Sequence, residues 1–569
     1  MLISPRRSVF ALALGFAVSF SATPSIADGL SGAYLAARHA SYFNDYKAGA
    51  EYYTKALIRD QGNIALMENA LASFVGLGDI ARAVPVARKM AADGAVSQLS
   101  RIVLLVDLAA KKEFEAMIST LEDGDTIGPL VDGLARAWAE IGRGKMSVAI
   151  EHFDKVSEAK GTRGFGLYHK ALALASVGDF EGADQILAGD EKGPLPVTLA
   201  GVLAHTQILS QLDRNADALE LLTAVFGNEL DPRVASIRND LKAGKTLKFS
   251  VVTSPSEGLA EVFYSVANAL KGEADDGYTL IYARMAEHLK PNSIDAMLLS
   301  AELLERLEQY DLATVAYNRV PRSDASFHVA ELGRAAALRK AGKEEAAIEV
   351  LEQLAESHGD LPAVHSALGD ALRRLDRYDE ATVSYSRSLA LSGEPVAEDW
   401  FVYYARGISF ERADDWDKAY ADFRMALTLN PNQPQVLNYL GYSLLEKNTQ
   451  LDEALDMIER AVSAMPNDGY ITDSLGWALY RLRRFDEAAK YMERAAELTP
   501  VDPIVTDHLG DALWAVGRKL EARFQWRRAL SFEPEEVDAT RIRRKLEVGL
   551  DAVLKEEGAD PLPVLANDG

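Results

Sequence analysis

A 34-residue repeat constrains this chain more than any other feature. The stretch DSLGWALYRLRRFDEAAKYMERAAELTP, which ends at Pro500, aligns without a gap with DHLGDALWAVGRKLEARFQWRRALSFEP, which ends at Pro534. Aligned residues lie 34 positions apart, and those kept include one glycine, two alanines and one proline. A unit of this length cannot bury its apolar face alone, so such units are stabilised by stacking on their neighbours.

The glycine of this repeat recurs upstream, and we call its place in each unit the comb position. Most steps between comb positions are 34 residues, and inserted residues fall around KNTQ and SGEPVAEDW, which are therefore predicted loops. The comb positions are Ala267, Ala301, Ala335, Gly369, Gly407, Gly441, Gly476 and Gly510, with weaker matches at Ala37, Leu71, Leu105, Ala137, Ala171 and Thr206.

Each unit is predicted to form two amphipathic helices joined by a short turn. A small residue at the comb position lets two helix axes approach closely, and a bulky residue of the second helix is expected to fill the seam against the next unit. Pro466 and Pro500 are predicted to end second helices, because proline lacks the N–H that a continuing helix needs. Asp502, just before Pro503, is a predicted N-cap.

This pattern resembles the tetratricopeptide repeat (TPR) family, which has a unit of this length and this Gly/Ala/Ala/Pro skeleton. The resemblance implies an all-α fold, a helix-turn-helix superhelical solenoid whose first helices line a concave groove. The predicted segments are a signal peptide (1–27), a degenerate N-terminal TPR array (28–230), an irregular junction (231–256), a C-terminal TPR array (257–534), a capping helix (535–557) and a disordered tail (558–569).

Composition excludes several classes of function. The chain has 61 basic and 85 acidic residues, a net charge of −24, which repels phosphate backbones and predicts no nucleic-acid binding. It has no cysteine, which excludes disulfides, thiolate metal sites and a lipid anchor on cysteine. No direct membrane anchor is therefore expected.

The N-terminus has the pattern of a secretory signal. Arg6 and Arg7 precede the apolar stretch VFALALGFAVSF, and the small residues Ser25 and Ala27 mark a cleavage site. The apolar run is short for a membrane span. The sequence therefore predicts export by a cleavable signal peptide and a soluble periplasmic protein.

No motif for catalysis or for cofactor binding is present. The nine histidines are scattered, and HExxH, GxSxG and P-loop patterns are absent. The predictions are no catalytic residue, no cofactor, no metal site and no enzymatic activity.

Aromatic residues interleaved with Asp and Asn recur on the first helices of the C-terminal units. Such a stripe is how a groove would hold an extended or helical peptide, although Tyr480 and Trp514 could equally pack between adjacent helices. The residues predicted to face the groove and bind protein are Phe401, Tyr404, Asn438, Tyr442, Tyr470, Asp473, Trp477, Tyr480, Asp507, Asp511 and Trp514.

A basic cluster near the C-terminus stands out in this acidic chain. It has two interpretations: a second docking patch, or a solvated face paired with neighbouring glutamates at helical spacing. Its members are Arg518, Lys519, Arg523, Arg527, Arg528, Arg541, Arg543, Arg544 and Lys545.

The segment from Asn438 to Trp526 is also similar to a group of long bacterial envelope TPR proteins. That group includes lipoprotein adaptors that present cell-wall hydrolases to periplasmic carboxyl-terminal processing proteases. The resemblance implies an exported adaptor with protein partners, a processing protease and cell-wall hydrolases among them. The alternative is a structural scaffold of an envelope-assembly or polysaccharide-export complex.

Overall fold

The computed structural model describes residues 30–122, 127–189, 198–227 and 232–562. Within these ranges the chain forms 31 α-helices and one short 3-10 helix, and no strand. The predicted all-α, helix-turn-helix solenoid class is confirmed. The chain divides into two compact units, the first ending at Ala341 and the second beginning at Gly342.

The first unit consists of eighteen helices within its described residues. They are α1 (Leu30–Tyr42), α2 (Tyr46–Arg59), α3 (Ile64–Leu77), α4 (Ile80–Ala92), α5 (Gln98–Ala110), α6 (Phe114–Glu122), α7 (Pro129–Gly142), α8 (Met146–Glu158), α9 (Arg163–Ser176), α10 (Phe180–Leu187), α11 (Leu199–Gln211), α12 (Asn215–Phe226), α13 (Pro232–Lys242), α14 (Pro255–Leu270), α15 (Asp276–Leu289), α16 (Ile294–Arg306), α17 (Tyr310–Tyr317) and α18 (Phe327–Lys340).

The second unit is built from helix pairs in the same way. Its helices are α19 (Glu344–Ser357), α20 (Pro362–Arg374), α21 (Tyr378–Ser392), the 3-10 helix (Ala397–Asp399), α22 (Trp400–Arg412), α23 (Trp416–Leu429), α24 (Pro434–Glu446), α25 (Leu451–Ala464), α26 (Gly469–Arg481), α27 (Phe485–Leu498), α28 (Pro503–Ala515), α29 (Lys519–Leu530), α30 (Glu536–Val548) and α31 (Leu550–Glu556).

Short-range sequence signals place the helix ends where predicted. Asp502 caps α28, since its carboxylate accepts hydrogen bonds from the backbone N–H groups of Ile504 and Val505. Pro503 stands in the first turn of the same helix, where no N–H is needed. The helix α27 ends at Leu498, two residues before Pro500.

The comb glycines are required by close packing inside each helix pair. A Cβ added at Gly476 would lie 2.6 Å from Cγ of Met492 on α27, and one at Gly407 would lie 2.7 Å from Phe423 on α23. The bulky residue of the second helix therefore covers the comb position of its own unit, a contact that the sequence argument did not foresee. Phe423 also reaches the next unit, where its ring centroid lies 5.3 Å from that of Tyr439.

A residue in the left-handed backbone conformation (positive φ) lies seven places after the comb position in nearly every repeat. Glycine fills this place at Gly78 and Gly517, but Asp376 (φ 58°) and Arg483 (φ 63°) also adopt it. It forms the turn between the two helices of a unit. The unit with Ala267 at its comb position departs from this rule, since its left-handed residue is Gly272.

The helix-pair repeat that contains Ala267 marks a change in the fold of the first compact unit. Its helices α14 and α15 pack back on the earlier array: α14 contacts α5, α7 and α9, and α15 contacts α3 and α5. These partners are the first helices of successive pairs. The Tyr168 hydroxyl donates to Oε1 of Glu261 at 2.9 Å, and Arg284 donates to the carbonyl of Gly76 at 3.1 and 3.2 Å.

These contacts change the expected division of the chain. The predicted junction at 231–256 does not separate compact units, because residues 232–242 form α13 and the helices after it are built into the first unit. The predicted capping helix at 535–557 is two helices, α30 and α31, broken at Gly549 (φ 85°). The predicted signal peptide (1–27) and residues 563–569 of the predicted tail lie outside the described residues.

Candidate protein-binding surface

The predicted groove residues lie on four first helices of the second unit: α22, α24, α26 and α28. Contacts between first helices join α20 to α22, α24 to α26 and α26 to α28. We call α20, α22, α24, α26 and α28 the first-helix row. The repeat brings these helices side by side because each pair stacks on the next.

Exposure separates the predicted residues into three groups. Phe401 and Tyr470 are exposed, with 42% and 60% of their surface accessible. The half-buried residues are Tyr404, Asn438, Tyr442 and Trp477. The buried residues are Asp473, Tyr480, Asp507, Asp511 and Trp514.

Trp477 lies at the centre of an aromatic and charged cluster on α24, α26 and α28. Its indole stacks on the ring of His508, with centroids 4.2 Å apart, and on Tyr480 at 5.0 Å. Its Nε1 donates to Oε1 of Glu446 at 2.9 Å. We call Glu446, Asp473, Trp477, Tyr480 and His508 the Trp477 cluster.

Asp473 sets the charge of this cluster. Nδ1 of His508 lies 2.8 Å from Oδ2 of Asp473. Burial disfavours the charged imidazole, but the charge and hydrogen bond of Asp473, together with the charges of Asp507 and Asp511, outweigh burial and raise the pKa of His508 above its ordinary value. In the protonated ring both nitrogens are donors.

Two acceptor oxygens, one on α24 and one on α26, are buried and have no donor. They are Oδ1 of Asn438 and Oδ1 of Asp473, and neither accepts a hydrogen bond from any described residue. A buried acceptor without a donor costs about 1–3 kcal/mol, which a ligand that supplies the donor recovers. Tyr442 lies close by: burial first, then the charges of Glu446 and Asp473, raise its pKa above the ordinary value.

Asp507 and Asp511 do not line an open face, and here the structure corrects the sequence interpretation. Lys545, which is fully buried, donates to Oδ2 of Asp507 at 2.8 Å and to Oδ1 of Asp511 at 2.7 Å. Trp526 Nε1 also donates to Asp511 at 3.0 Å. These two carboxylates therefore fix α30 on α28.

Trp514 and Tyr480 prove to be packing residues rather than open groove residues. Trp514 is 7% exposed, its ring lies 5.2 Å from that of Trp526, and its Nε1 donates to Asp551 of α31. Tyr480, at 8%, packs between Trp477 and Phe485. Of the two interpretations that the sequence left open for them, the structure favours core packing.

The basic C-terminal cluster is largely paired within the second unit. Arg518 donates hydrogen bonds to Glu493 and Glu521, and Arg544 donates to Glu547 and Glu556. Lys545 is buried against Asp507 and Asp511. This arrangement agrees with the solvated, paired face rather than with a second docking patch.

The described side chains include no group of three or more His, Asp or Glu suited to a metal ion. Among the helices that the structure describes, none is both long enough and apolar enough to cross a bilayer.

A family model for the tetratricopeptide repeat matches residues 332–393, 404–469 and 474–535. These three stretches carry tetratricopeptide repeats. They include all of α20, α24 and α28, most of α22 and α26, and every member of the Trp477 cluster except Asp473.

Relatives share the repeats over part of their length. A TPR repeat-containing protein of Pseudomonas aeruginosa is 28% identical over 156 residues, which is 27% of this chain and 26% of that protein. Tetratricopeptide repeat protein 13 of Homo sapiens is 27% identical over 158 residues, 27% of this chain and 18% of that protein. The matches thus span about a quarter or less of these curated relatives. The Cut9–Hcn1 hetero-tetramer structure aligns over 92% of this chain and 97% of its own, at 15% identity and a TM-score of 0.38.

Sequence reasoning missed His508 and Glu446, which complete the Trp477 cluster. The sequence did contain a signal for His508. In two places a tryptophan stands one position after a comb position and a histidine follows it 31 residues later: Trp477 with His508, and Trp138 with His169. The second occurrence lies in the first unit, where the comb is weak.

Proposed function

We propose that this protein is an exported, non-enzymatic TPR scaffold that binds protein partners on the first-helix row of its second unit. The observation that carries the proposal is the Trp477 cluster: a half-buried tryptophan stacked on His508 beside a buried carboxylate oxygen of Asp473 that lacks a donor. Tryptophan and tyrosine are enriched among the residues that dominate protein-binding energy.

The partner class that we favour is a periplasmic processing protease together with its cell-wall hydrolase substrates. The similarity of Asn438 to Trp526 to envelope TPR adaptors supports this choice, as does the signal-like N-terminus. The protein would then hold both partners and bring the substrate to the protease, without chemistry of its own. This division of labour suits a repeat array, whose extended surface can bind more than one protein.

Binding through the cluster is tested with a double variant. Trp477→Ala with Tyr442→Ala removes two aromatic anchors. Because hot-spot losses are not additive, the minimum expected is the loss of one anchor, about 2 kcal/mol, so affinity for the purified periplasmic partner should fall about thirtyfold or more. The matched control is Tyr491→Ala with Phe524→Ala, two exposed aromatics on the second helices α27 and α29. Equal affinity of both double variants and the wild type would exclude this surface.

The role of the partner is tested by deletion of the protein from cells. Loss of processing of the hydrolase substrate, with the protease still present, would support the adaptor. Intact processing together with a disassembled envelope complex would instead support the structural scaffold.

A further inference from the structure

We infer that a cleft in the first unit binds a primary alkylammonium group, carried either by a small free amine or by a lysine side chain. The cleft lies between the α1–α2 turn, α3 and α15, and its volume is about 320 Å³. We call it the α3–α15 cleft, and its lining includes Ser41, Asp45, Tyr46, Ala72, Gly277 and Tyr278. This inference is independent of the proposed function, which concerns the second unit.

Two glycines leave room for the tyrosine that forms one wall of the α3–α15 cleft. A Cβ added at Gly76 of α3 would lie 2.4 Å from Cδ1 of Tyr46, and one at Gly277 of α15 would lie 3.5 Å from the Tyr46 hydroxyl oxygen. Ala72 adds apolar surface, whereas Ser41 is exposed, so the cleft opens to solvent on its side. Small-molecule sites have volumes of roughly 300–1,000 Å³, so this cleft suits one short side chain or a small organic molecule.

Two oxygen atoms of the lining residues are available to a ligand that donates hydrogen bonds. The Tyr46 hydroxyl makes no hydrogen bond within the part of the chain that the structure describes. Asp45 engages Oδ1, which accepts from the backbone N–H of Ala48 at 2.9 Å, while its Oδ2 accepts from none of the described residues. An ammonium group has three N–H donors and no acceptor, so it can donate to both oxygens.

The charges around the cleft favour a cation. Of the described residues that line it, Asp45 alone carries a charge. Asp275 acts on the same space: burial first, then the charge of Asp275, against a smaller effect of Arg284, raise the pKa of Tyr46 to about 12. Arg284 is engaged elsewhere, since its guanidinium donates to Glu287 at 2.9 Å.

An anion does not suit this geometry. Helices α2 and α15 both begin at the cleft, and free N–H groups at helix N-termini attract anions. Here Asp45 accepts from the N–H of Ala48 and Asp275 from that of Tyr278, so carboxylates already cap both helices. The rings of Tyr46 and Tyr278 also favour a cation, because the face of an aromatic ring carries partial negative charge.

Ligand-observed NMR titrations of the full-length protein with matched probes test the charge of the ligand. Butylamine, which corresponds to the side chain of lysine, should bind in a saturable manner at neutral pH and constant ionic strength. Butanol and butyrate have the same stem with a neutral or a negative head group, and they should bind at least about tenfold more weakly. Nα-acetyl-lysine N-methylamide distinguishes the sources: binding as tight as that of butylamine or tighter assigns the cleft to a lysine side chain, and weaker binding assigns it to a small free amine.

Two variants test the place of binding. Asp45→Asn removes the charge but keeps the cap, since asparagine is as good an N-cap residue as aspartate, and it should weaken butylamine binding at least about tenfold. Ala72→Leu should weaken it as much because the leucine fills the cleft. The control is Asp179→Asn, since Asp179 caps α10 by accepting from the N–H of Gly182 in the same way. Circular dichroism should show all three variants folded.

Three results would each overturn the inference. They are the absence of saturable binding by either amine, binding of butanol as tight as that of butylamine, and butylamine binding that is unchanged in folded Asp45→Asn or Ala72→Leu.

Discussion

At the scale of single residues, the fold depends on glycines that leave room for large side chains of the neighbouring helix. Each comb glycine of the second unit packs against a large side chain of the paired helix: Gly476 contacts Met492, and Gly510 contacts Trp526. Protein interiors are packed without room for an extra side chain, so the comb positions drift only among small residues where this contact is close.

Gly476→Leu should therefore destabilise the second unit by about 1–3 kcal/mol through overpacking. Urea unfolding followed by tryptophan fluorescence measures this, since Trp400, Trp416, Trp477, Trp514 and Trp526 all lie in that unit. The control is Gly62→Leu, because an added Cβ at Gly62 meets no atom within 4 Å. Equal unfolding midpoints for the two variants would contradict this account of the comb.

Glu261 makes the stability of α14 depend on pH. Burial, with a smaller effect of the charge of Asp295, raises its pKa to about 7 against the opposing effects of the hydrogen bond from Tyr168 and the charge of Lys290. Because the folded pKa exceeds the unfolded value, the neutral acid is favoured in the fold, and stability falls as pH rises from about 4.5 through 7.

Glu261→Gln should remove this part of the pH dependence, because glutamine still accepts a hydrogen bond from Tyr168 and carries no charge. Hydrogen exchange of residues 255–270, corrected for the intrinsic rate, should show protection that declines between pH 5 and pH 8 in the wild type and declines less in the variant. Glu273→Gln, at an exposed site after α14, is the control. Parallel declines in all three proteins would exclude Glu261 as the cause.

At the scale of helices, the sequence predicted what is local and periodic. Helix ends at Pro500 and Asp502 and the small comb residues follow from signals within one unit. The return of α14 and α15 onto the earlier helices joins residues far apart in the chain, such as Gly76 and Arg284, and no periodicity records such a pairing. The only local sign of this return is that the residue with positive φ lies at Gly272, five places after Ala267 instead of seven.

The candidate site was predicted in part for the same reason. Helical spacing placed the predicted residues on first helices, and Phe401, Tyr442 and Trp477 retain exposed surface. Helical spacing alone could not show that Lys545 pairs with Asp507 and Asp511, since that contact depends on how α30 packs. Burial raises the pKa of Asp507 first, and the charge of Asp511 raises it further against the opposing effect of Lys545.

Lys545→Met should release α30, because it leaves two buried carboxylates without their main partner, a loss on the order of 3–5 kcal/mol. The loss should be smaller at pH 5 than at pH 8, since the pKa of Asp507 is raised and its protonation relieves the repulsion between the two carboxylates. Thermal unfolding at both pH values measures it, with Lys555→Met at an exposed position of α31 as control. A variant as stable as this control at pH 8 would show that the buried ion cluster does not hold the cap.

At the scale of the whole molecule, the two units use the first helices of their repeats differently. In the first unit, α14 and α15 cover α3, α5, α7 and α9, so this face is occupied by the chain itself. In the second unit, the first-helix row carries the Trp477 cluster and the unpaired oxygens of Asn438 and Asp473. We therefore assign partner binding to the second unit.

Site-specific photo-crosslinking tests this assignment most directly. The full-length protein would carry photoreactive benzoylphenylalanine in place of Tyr442 on α24 or, as control, in place of Tyr491 on α27, and would be illuminated with the purified partner. We expect a crosslink from position 442 that Trp477→Ala abolishes, and none from position 491. A crosslink from position 491 alone, or one from position 442 that persists unchanged in Trp477→Ala, would exclude partner binding at the Trp477 cluster.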